Sequence, residues 1–505
     1  MSATQDTAEF TGLRARFFPI HGSEMKKFIP LALIMFCILF NYTVLRDTKD
    51  TLVVNATGGS TIIPFLKLWC VTPAAILFVA IYAKLTNVLK RENVFYAVVT
   101  PFLIFFGLFG FVIYPNLEML HPAQETIQAL QADYPRMKGF LDIYGYWSFS
   151  LFYVLSEIWG SAMIALMFWQ FANQVVRLNE SKRFYGLFVV IANVALIFSG
   201  QAVKFGSTGI RNFLPEGVDS WPVSVKILMA LVVIMGISCM MIYRWMHTAV
   251  LTDKKYYDPE EAAGKKKKKK SKPGLAESAK IIFTSPELGL IAALIMAYGV
   301  TINLLEVQWK EQLGVFFAGD KGAYNAFMGE FSTWTGVVTI LFALFVGSSL
   351  LRKLSWFKAA VITPTIIVIG GVIFFTFIFA KDAAAELLMK AALSPVAAAT
   401  FLGFIIVIAS KSIKYSLFDP TKEMAYIPLD DELKTKGKAA VDVIGGRAGK
   451  SGGAAVQTGL IIAFAAQTAS QIVIPAFLVF AVVGVLWMYA VKALSVKVNA
   501  AAAIK

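Results

Sequence analysis

The sequence has few charged residues, few cysteines and few histidines. Only 16% of its 505 residues are charged, whereas a soluble domain is about one-quarter charged. Cys37, Cys70 and Cys239 all fall in apolar runs, which indicates small buried hydrophobic side chains and no disulfide framework. The three histidines are far apart and lack the spacing of metal ligands. The composition therefore argues against a soluble domain, and we expect no metal site, no cofactor and no catalytic site.

Long apolar runs fill most of the chain. Hydrophobic residues make up 57% of it, and the mean hydropathy is +0.66. Twelve runs are long enough to cross a bilayer, which takes about 20 residues. The sequence therefore predicts an all-α membrane protein with 12 transmembrane helices. The predicted spans are 28–45, 62–82, 94–114, 147–175, 184–203, 223–246, 288–309, 324–350, 357–380, 392–412, 438–466 and 470–491.

A short internal sequence repeat divides these spans into two sets of six. Residues 97–101 read AVVTP and residues 360–364 read AVITP, and each opens the third span of its set after a basic loop. This pattern predicts two parallel six-helix halves with a substrate site at the midplane, an arrangement typical of major facilitator transporters. The predicted division is 1–27 cytoplasmic segment, 28–246 first half, 247–287 basic cytoplasmic linker, 288–491 second half and 492–505 cytoplasmic tail.

The distribution of loop charge predicts the orientation. The net charge is +15, and basic residues follow the second, fourth, sixth and eighth spans, whereas segment 115–146 is acidic or balanced. Because cytoplasmic loops carry the excess of Lys and Arg, we expect both termini in the cytoplasm. The first 27 residues show no secretory signal and are too short and acidic for a transit peptide, which favours a bacterial inner membrane. We interpret the run Lys265–Lys270 as a solvated linker and expect no nucleic-acid partner.

Cations inside the apolar runs predict a pathway for an anion, because charged residues are costly in a bilayer and usually face a cavity. Arg46 and Lys49 lie three residues apart and so share one helical face. The alternative is a salt-bridged helix end at the membrane surface. Lys67 is a further cation in the second span, for which the sequence suggests no specific role.

Polar residues in two other spans are candidate partners of these cations. Glu157, in the fourth span, is either a protonated core residue or a carboxylate paired with a lysine. In the seventh span, Asn303 and Glu306 share one face. Asn303 could contact the edge of a nucleotide base or form an interhelical hydrogen bond, and the sequence leaves both possibilities open.

A glycine-rich segment in the eleventh span, GGRAGKSGG, carries Arg447 and Lys450. It is similar to the phosphate-binding loop G-x-x-x-x-G-K-[ST], but Ile444 occupies the position of the first glycine and no strand pattern precedes it. The match is therefore incomplete, and ATP hydrolysis is not implied. The glycines instead indicate close helix approach or access of a phosphate to backbone N–H groups.

Four long motifs resemble those of one family, the bacterial and plastid ATP/ADP translocases, or nucleotide transporters of intracellular bacteria. They are NYTVLRDTKDTLVV from residue 41, SEIWGSAMIALMFWQFANQ from 156, YGVTINLLEVQWK from 298, and the charged stretch from 410 to 453. The resemblance implies an antiporter that imports host ATP in exchange for ADP by alternating access. It also implies that Lys49, Glu157, Glu306 and Lys450 are required for transport by a lipid-embedded monomer, with ATP and ADP as substrates and phosphate as a further candidate substrate.

These motifs lead to a mechanistic hypothesis with two competing interpretations. In the hypothesis, Lys49 and Lys450 clamp the polyphosphate, and Glu157 and Glu306 hold the lysines when the site is empty. Within the same family, a proton-coupled or broad-specificity carrier of GTP, UTP or NAD is the first alternative. A membrane enzyme that uses a nucleotide-activated substrate is the second, with 430–432 as its candidate acidic cluster.

Overall fold

The computed structural model describes residues 18–57, 59–257, 285–427, 429, 438, 441 and 445–503. Within this part of the chain the regular structure is helical, without strands, and eleven helices are long and apolar enough to cross a membrane. We count the shorter helix Gly446–Ala463 as α11. The helices α1 to α12 are Gly22–Ala56, Ile62–Val88, Glu92–Leu120, Trp147–Val175, Arg183–Ser207, Trp221–Val250, Pro286–Phe316, Lys321–Val346, Trp356–Ala380, Pro395–Ala425, Gly446–Ala463 and Ala469–Val498.

The prediction of an all-helical membrane fold is confirmed, but two predicted span ends are wrong. Helix α1 continues to Ala56 and not to residue 45, and α10 continues to Ala425 and not to residue 412. Both extensions carry charged side chains, which ended the apolar runs in the sequence. The helices continue because these side chains find partners inside the bundle, so the backbone hydrogen bonds need not end with the apolar run.

One of the twelve predicted spans is described only in part. Helix α11 covers the second part of the predicted span 438–466, and most of its first part lies outside the described residues. The segments 1–17 and 258–284 of the predicted terminal segment and linker also lie outside them. The division into halves at 246 and 288 therefore stays a prediction.

Glycines allow the two sets of six helices to touch closely. Helix α5 packs against α8 more extensively than any other two described helices pack together. A Cβ atom on Gly200 of α5 would lie 2.4 Å from the carbonyl oxygen of Gly329 of α8, and the reverse substitution would be as tight at 2.5 Å. Such distances are below van der Waals contact, so these two positions accept only glycine without movement of a helix.

The two ends of the bundle differ in their loops. The acidic-loop end carries the connections 57–61, 121–146, 208–220 and 317–320. The longest of these contains the short helices Gln124–Asp133 and Lys138–Gly145. There Phe140 packs edge-on against Phe65 of α2, which forms a small hydrophobic cluster with Ile461 of α11. We call the opposite end, with the connections 89–91, 176–182, 251–257 and 354–355, the basic-loop end.

Polar contacts between α1–α6 and α7–α12 concentrate near the acidic-loop end. Between described residues, every such side-chain hydrogen bond or ion pair involves a residue of 46–72 or of 197–211. Arg211 pairs with Asp320, Lys204 pairs with Glu330, and Glu311 Oε2 accepts hydrogen bonds from Ser60 N and Oγ at 2.9 and 3.0 Å. Together with the cluster around Phe65, these contacts close the acidic-loop end. The contacts are those of residue pairs 46–332, 47–332, 50–310, 51–325, 60–307, 60–311, 67–303, 72–451, 197–333, 201–333, 204–330, 207–325 and 211–320.

Candidate functional site

Lys49 lies inside the bundle, on the last third of α1. Its side chain is only 3% exposed. Its Nζ lies 2.9 Å from Asp50 Oδ1 and 3.0 Å from Glu157 Oε1 of α4. The ammonium also lies 3.8 Å from the ring centroid of Tyr153, one helical turn before Glu157. These positions rule out the salt-bridged helix end at the membrane surface for Lys49.

Asp50 connects Lys49 to the second set of helices. It is 1% exposed, and its Oδ2 lies 2.7 Å from Nζ of Lys310 on α7. One carboxylate therefore bridges two lysines that approach it from different halves of the predicted architecture. Lys310 and Asp50 were not among the predicted site residues, although both lie within the quoted family motifs.

Arg46 makes a second connection between the two sets of helices. Its Nε lies 3.0 Å from Asp47 Oδ1, and its Nη2 donates to Ser332 Oγ of α8 at 2.6 Å. Ser332 Oγ in turn donates to Asp47 Oδ2 at 2.5 Å. Arg46 is 16% exposed, whereas Asp47 is completely buried, so the guanidinium is the part of this group that solvent reaches.

Glu306 on α7 is paired with a lysine that the sequence analysis had not proposed. Its Oε1 lies 3.0 Å from Nζ of Lys411 on α10, and this ammonium also lies 5.0 Å from the ring centroid of Phe331. Glu306 and Lys411 are 15% and 19% exposed. In the sequence, Lys411 directly follows the apolar run TFLGFIIVIAS. It stands at the end of the predicted span 392–412 and was therefore not considered as a residue of the site.

Asn303 forms the interhelical hydrogen bond that was one of its two possible roles. Its Oδ1 accepts from Nζ of Lys67 on α2 at 2.6 Å, and its Nδ2 donates to the carbonyl oxygen of Gly299 at 2.7 Å. Both polar atoms of the amide therefore have a partner within the protein, and each keeps one further hydrogen-bonding position. Contact with a nucleotide base stays a prediction.

Lys450 lies near the start of helix α11 and is exposed. It forms no ion pair with any described residue, but it lies near enough for its charge to act on Glu157. The next residue, Ser451, has its Oγ 3.1 Å from Thr72 Oγ1 of α2. The side chain of Arg447 lies outside the described part of the structure, so its predicted role stays a prediction. The glycine-rich segment is helical from Gly446 onwards, unlike a phosphate-binding loop between a strand and a helix.

These groups form a cluster with an excess of positive charge. The described cations outnumber the carboxylates by six to four. An excess of positive charge between helices attracts an anion that can compensate it, so the cluster is suited to an anion. No group of three metal-ligating side chains occurs among the described residues. The cations are Arg46, Lys49, Lys67, Lys310, Lys411 and Lys450, and the carboxylates are Asp47, Asp50, Glu157 and Glu306.

A membrane-spanning helical bundle with such a cluster between two sets of helices belongs to the class of secondary transporters. Residues 3–498 match the family described as TLC ATP/ADP transporter. The chain belongs to this family, which confirms the prediction of a transporter and not an enzyme.

Curated relatives agree with the family match. The chain is 47% identical to ADP,ATP carrier protein 1 of Chlamydia pneumoniae, covering 90% of this chain and 88% of the relative. It is 44% identical to ADP,ATP carrier protein 1 of Rickettsia bellii, with 98% of both covered. It is 46% identical to the chloroplastic ADP,ATP carrier protein 1 of Arabidopsis thaliana, covering 96% of this chain and 76% of the relative.

Solved transporter structures share the fold at low sequence identity. A bacterial homologue of the iron transporter ferroportin, in an inward-facing state, gives a TM-score of 0.54 at 13% identity and covers 91% of this chain and 98% of its own. A D-xylose–proton symporter gives a TM-score of 0.50 at 11% identity, with 92% and 97% covered. These similarities confirm the predicted major-facilitator-like fold.

Proposed function

We propose that this protein is an ATP/ADP antiporter that imports ATP in exchange for ADP by alternating access. The observation that carries the proposal is the surplus of cations in this cluster, joined across the two sets of helices by the buried Lys49–Asp50–Lys310 bridge. A polyphosphate is the kind of solute that compensates such a surplus, because lysine and arginine both bind phosphate well. The names of the curated relatives support adenine nucleotides as that solute.

The proposed location is a bacterial inner membrane, with the basic-loop end and both termini in the cytoplasm. Excess Lys and Arg in the loops of that end support this orientation. The closed acidic-loop end then faces outward. All proposed site residues are supplied by one chain, which supports a monomer as the transporting unit.

In the proposed mechanism, carboxylates hold the cations of the empty site. Glu157 holds Lys49, and Glu306 holds Lys411, so the hypothesis of carboxylate-held lysines is supported with a different partner for Glu306. An arriving polyphosphate competes for the lysines through charge-assisted hydrogen bonds, with Lys49 and Lys450 as its main contacts. Arg46 and Arg447 are proposed as further phosphate contacts, and Asn303 as a contact for the base.

Obligate exchange follows from the same surplus of charge. Transition to the other side requires the cavity to close around its contents. Closing an empty cavity would bury the cations without enough counter-charge, which costs several kcal/mol per uncompensated ion. With nucleotide bound, the phosphates supply the missing charge, so the loaded carrier changes sides and the empty carrier does not.

Counterflow in reconstituted vesicles tests this proposal. Vesicles are loaded with ADP, ATP or buffer, and uptake of external labelled ATP is followed with and without a protonophore. We expect rapid uptake only into nucleotide-loaded vesicles, and no collapse with the protonophore. Strong uptake into buffer-loaded vesicles that collapses with the protonophore would replace the antiporter by the proton-coupled alternative. Adding labelled phosphate on the same side as ATP tests phosphate as a further substrate.

A further inference from the structure

Lys67 differs from other cations of the cluster in the kind of partner it has. Four cations have a carboxylate oxygen within 3.0 Å, namely Arg46, Lys49, Lys310 and Lys411. The ammonium of Lys67 instead donates to a neutral amide oxygen, Oδ1 of Asn303, at 2.6 Å. Lys67 forms no ion pair with any carboxylate that the structure describes. Its positive charge is therefore not compensated by a direct contact.

The position of Lys67 is central to the cluster. The charges of Glu157 and Glu306 both act on it attractively, and those of Lys49 and Lys310 act on it repulsively. Its partner Asn303 lies three residues before Glu306 on α7, hence on the same face. Through its bond to Asn303, Lys67 therefore reaches from the first set of helices to the face of α7 that carries Glu306.

The local backbone around Lys67 is unusual. Residues Leu66–Val71 form a π-helical turn inside α2, and such turns often mark functional sites because they redirect side chains. Oγ1 of Thr72 donates to the carbonyl oxygen of Lys67 at 2.8 Å and also lies 3.1 Å from Oγ of Ser451. The π-turn that carries Lys67 therefore ends where α2 meets α11, at the contact of Thr72 with Ser451.

We propose that Lys67 is a third phosphate-binding lysine of the nucleotide site, and that its bond to Asn303 is a resting contact that a substrate phosphate replaces. This inference rests on the proposed function. An ammonium on a neutral amide gains a stronger, charge-assisted bond when a phosphate oxygen takes the place of the amide. Lys49 and Lys411 must leave a carboxylate to bind phosphate, whereas Lys67 gives up only a neutral acceptor.

Asn303 then acts as a positioning residue for Lys67. Its Nδ2 is anchored on the carbonyl oxygen of Gly299, which orients Oδ1 towards the ammonium. A carboxylate at this position would hold Lys67 in an ion pair and compete with the substrate. Asn303→Asp is therefore expected to weaken nucleotide binding, although it strengthens the contact between the two helices.

Equilibrium binding to the full-length carrier in lipid vesicles tests this inference. The probes are ATP, ADP and adenosine, each at several salt concentrations. Lys67→Met is expected to raise Kd for ATP and ADP roughly 30-fold or more, as for the loss of one partner of a buried charged contact. Binding of adenosine should not change, and the dependence of ATP affinity on salt should become weaker. Lys67→Arg should restore most of the affinity.

Two controls keep the test specific. Lys226→Met removes a lysine from α6 that is exposed, and it should leave all three affinities unchanged. Asn303→Asp gives an independent result if Lys67→Met fails to reach the membrane, because its effect through Lys67 should weaken binding of ATP and not of adenosine, whereas loss of the proposed base contact would weaken both. Unchanged ATP affinity in Asn303→Asp, or an equal loss for ATP and adenosine in Lys67→Met, would overturn the role of Lys67. Failure of the unmodified carrier to exchange ATP for ADP would instead overturn the proposed function, and the binding result would still stand.

Discussion

At the scale of single residues, Lys49 illustrates why a lysine is retained in the membrane interior. Its ammonium is shared between Asp50, Glu157 and the face of the Tyr153 ring. Three partial interactions stabilise the charge without committing it to one tight pair. Such a cation exchanges partners more readily than one held in a bidentate salt bridge, which suits a residue that releases and recaptures a substrate.

Lys49→Met and Glu157→Gln should interact when combined. Lys49→Met is expected to cost about 2–5 kcal/mol of substrate interaction and nearly abolish exchange, because one partner of a buried charged contact is lost. Glu157→Gln should slow exchange less, and the double variant should be no worse than Lys49→Met alone, because the residues act as a pair. Initial counterflow rates, normalised to protein in the membrane, measure this. Fully additive losses would contradict a functional pairing.

At the scale of helices, the contact between α5 and α8 holds the two sets of six together. Gly200 and Gly329 face each other at a distance that excludes any Cβ atom, and a Cβ atom added at Gly336 would similarly lie 2.7 Å from the carbonyl oxygen of Asn193. Such small-residue contacts drive helix association in membranes, where lipid is as apolar as the helices themselves.

Gly200→Ala should weaken the closure at the acidic-loop end. The added methyl group would lie 2.4 Å from the carbonyl oxygen of Gly329, so α5 and α8 must move apart. We expect a longer distance between spin labels placed at Phe213 and Lys321 and a slower exchange rate. Gly186→Ala on the same helix is the matched control, because nothing lies within 4 Å of a Cβ atom there. Equal effects of both substitutions would contradict this account.

At the scale of the whole molecule, contacts at the acidic-loop end compete with the rocking of the two sets of helices. Arg211 and Asp320 join the loops after α5 and α7 at this end, with Arg211 Nη1 3.0 Å from Asp320 Oδ2. The hydrogen bond from Arg211 holds the pKa of the Asp320 carboxyl below its usual value. The closed arrangement therefore favours the ionised carboxylate.

Closure at the acidic-loop end should weaken in acid. The stabilisation of the closed end by Asp320 is complete above the ordinary carboxyl pKa of about 4, and it is lost as the pH falls through the lowered pKa of Asp320. Spin-label distances across this end should lengthen on acidification. They should lengthen less in Asp320→Asn, because its closure at this end is already weaker at neutral pH. Asp219 and Glu330 also lie near this end, and Asp320→Asn separates their titration from that of Asp320. An identical pH response in both proteins would contradict the role of Asp320.

Particular residues show how far the sequence predicts the site. Lys49 and Glu157 were predicted, and the structure brings them into one ion pair because α1 and α4 are neighbours. Lys411 was missed as the partner of Glu306, because the two residues lie on different helices and the sequence does not show that α7 and α10 meet. The sequence also did not indicate a role for Lys67, because its partner Asn303 lies 236 residues away in the chain.

The sequence by itself determined the class of the protein. Long apolar runs require helices, because only internally hydrogen-bonded segments are stable in lipid, and loop charge predicts their orientation. Charged residues within those runs marked a pathway, and long motifs identified the family. Which charges meet was decided only by the tertiary structure. Partners such as Asp50 and Lys310 lie on different helices, and their pairing depends on helix rotation and crossing, which the helical repeat alone does not specify.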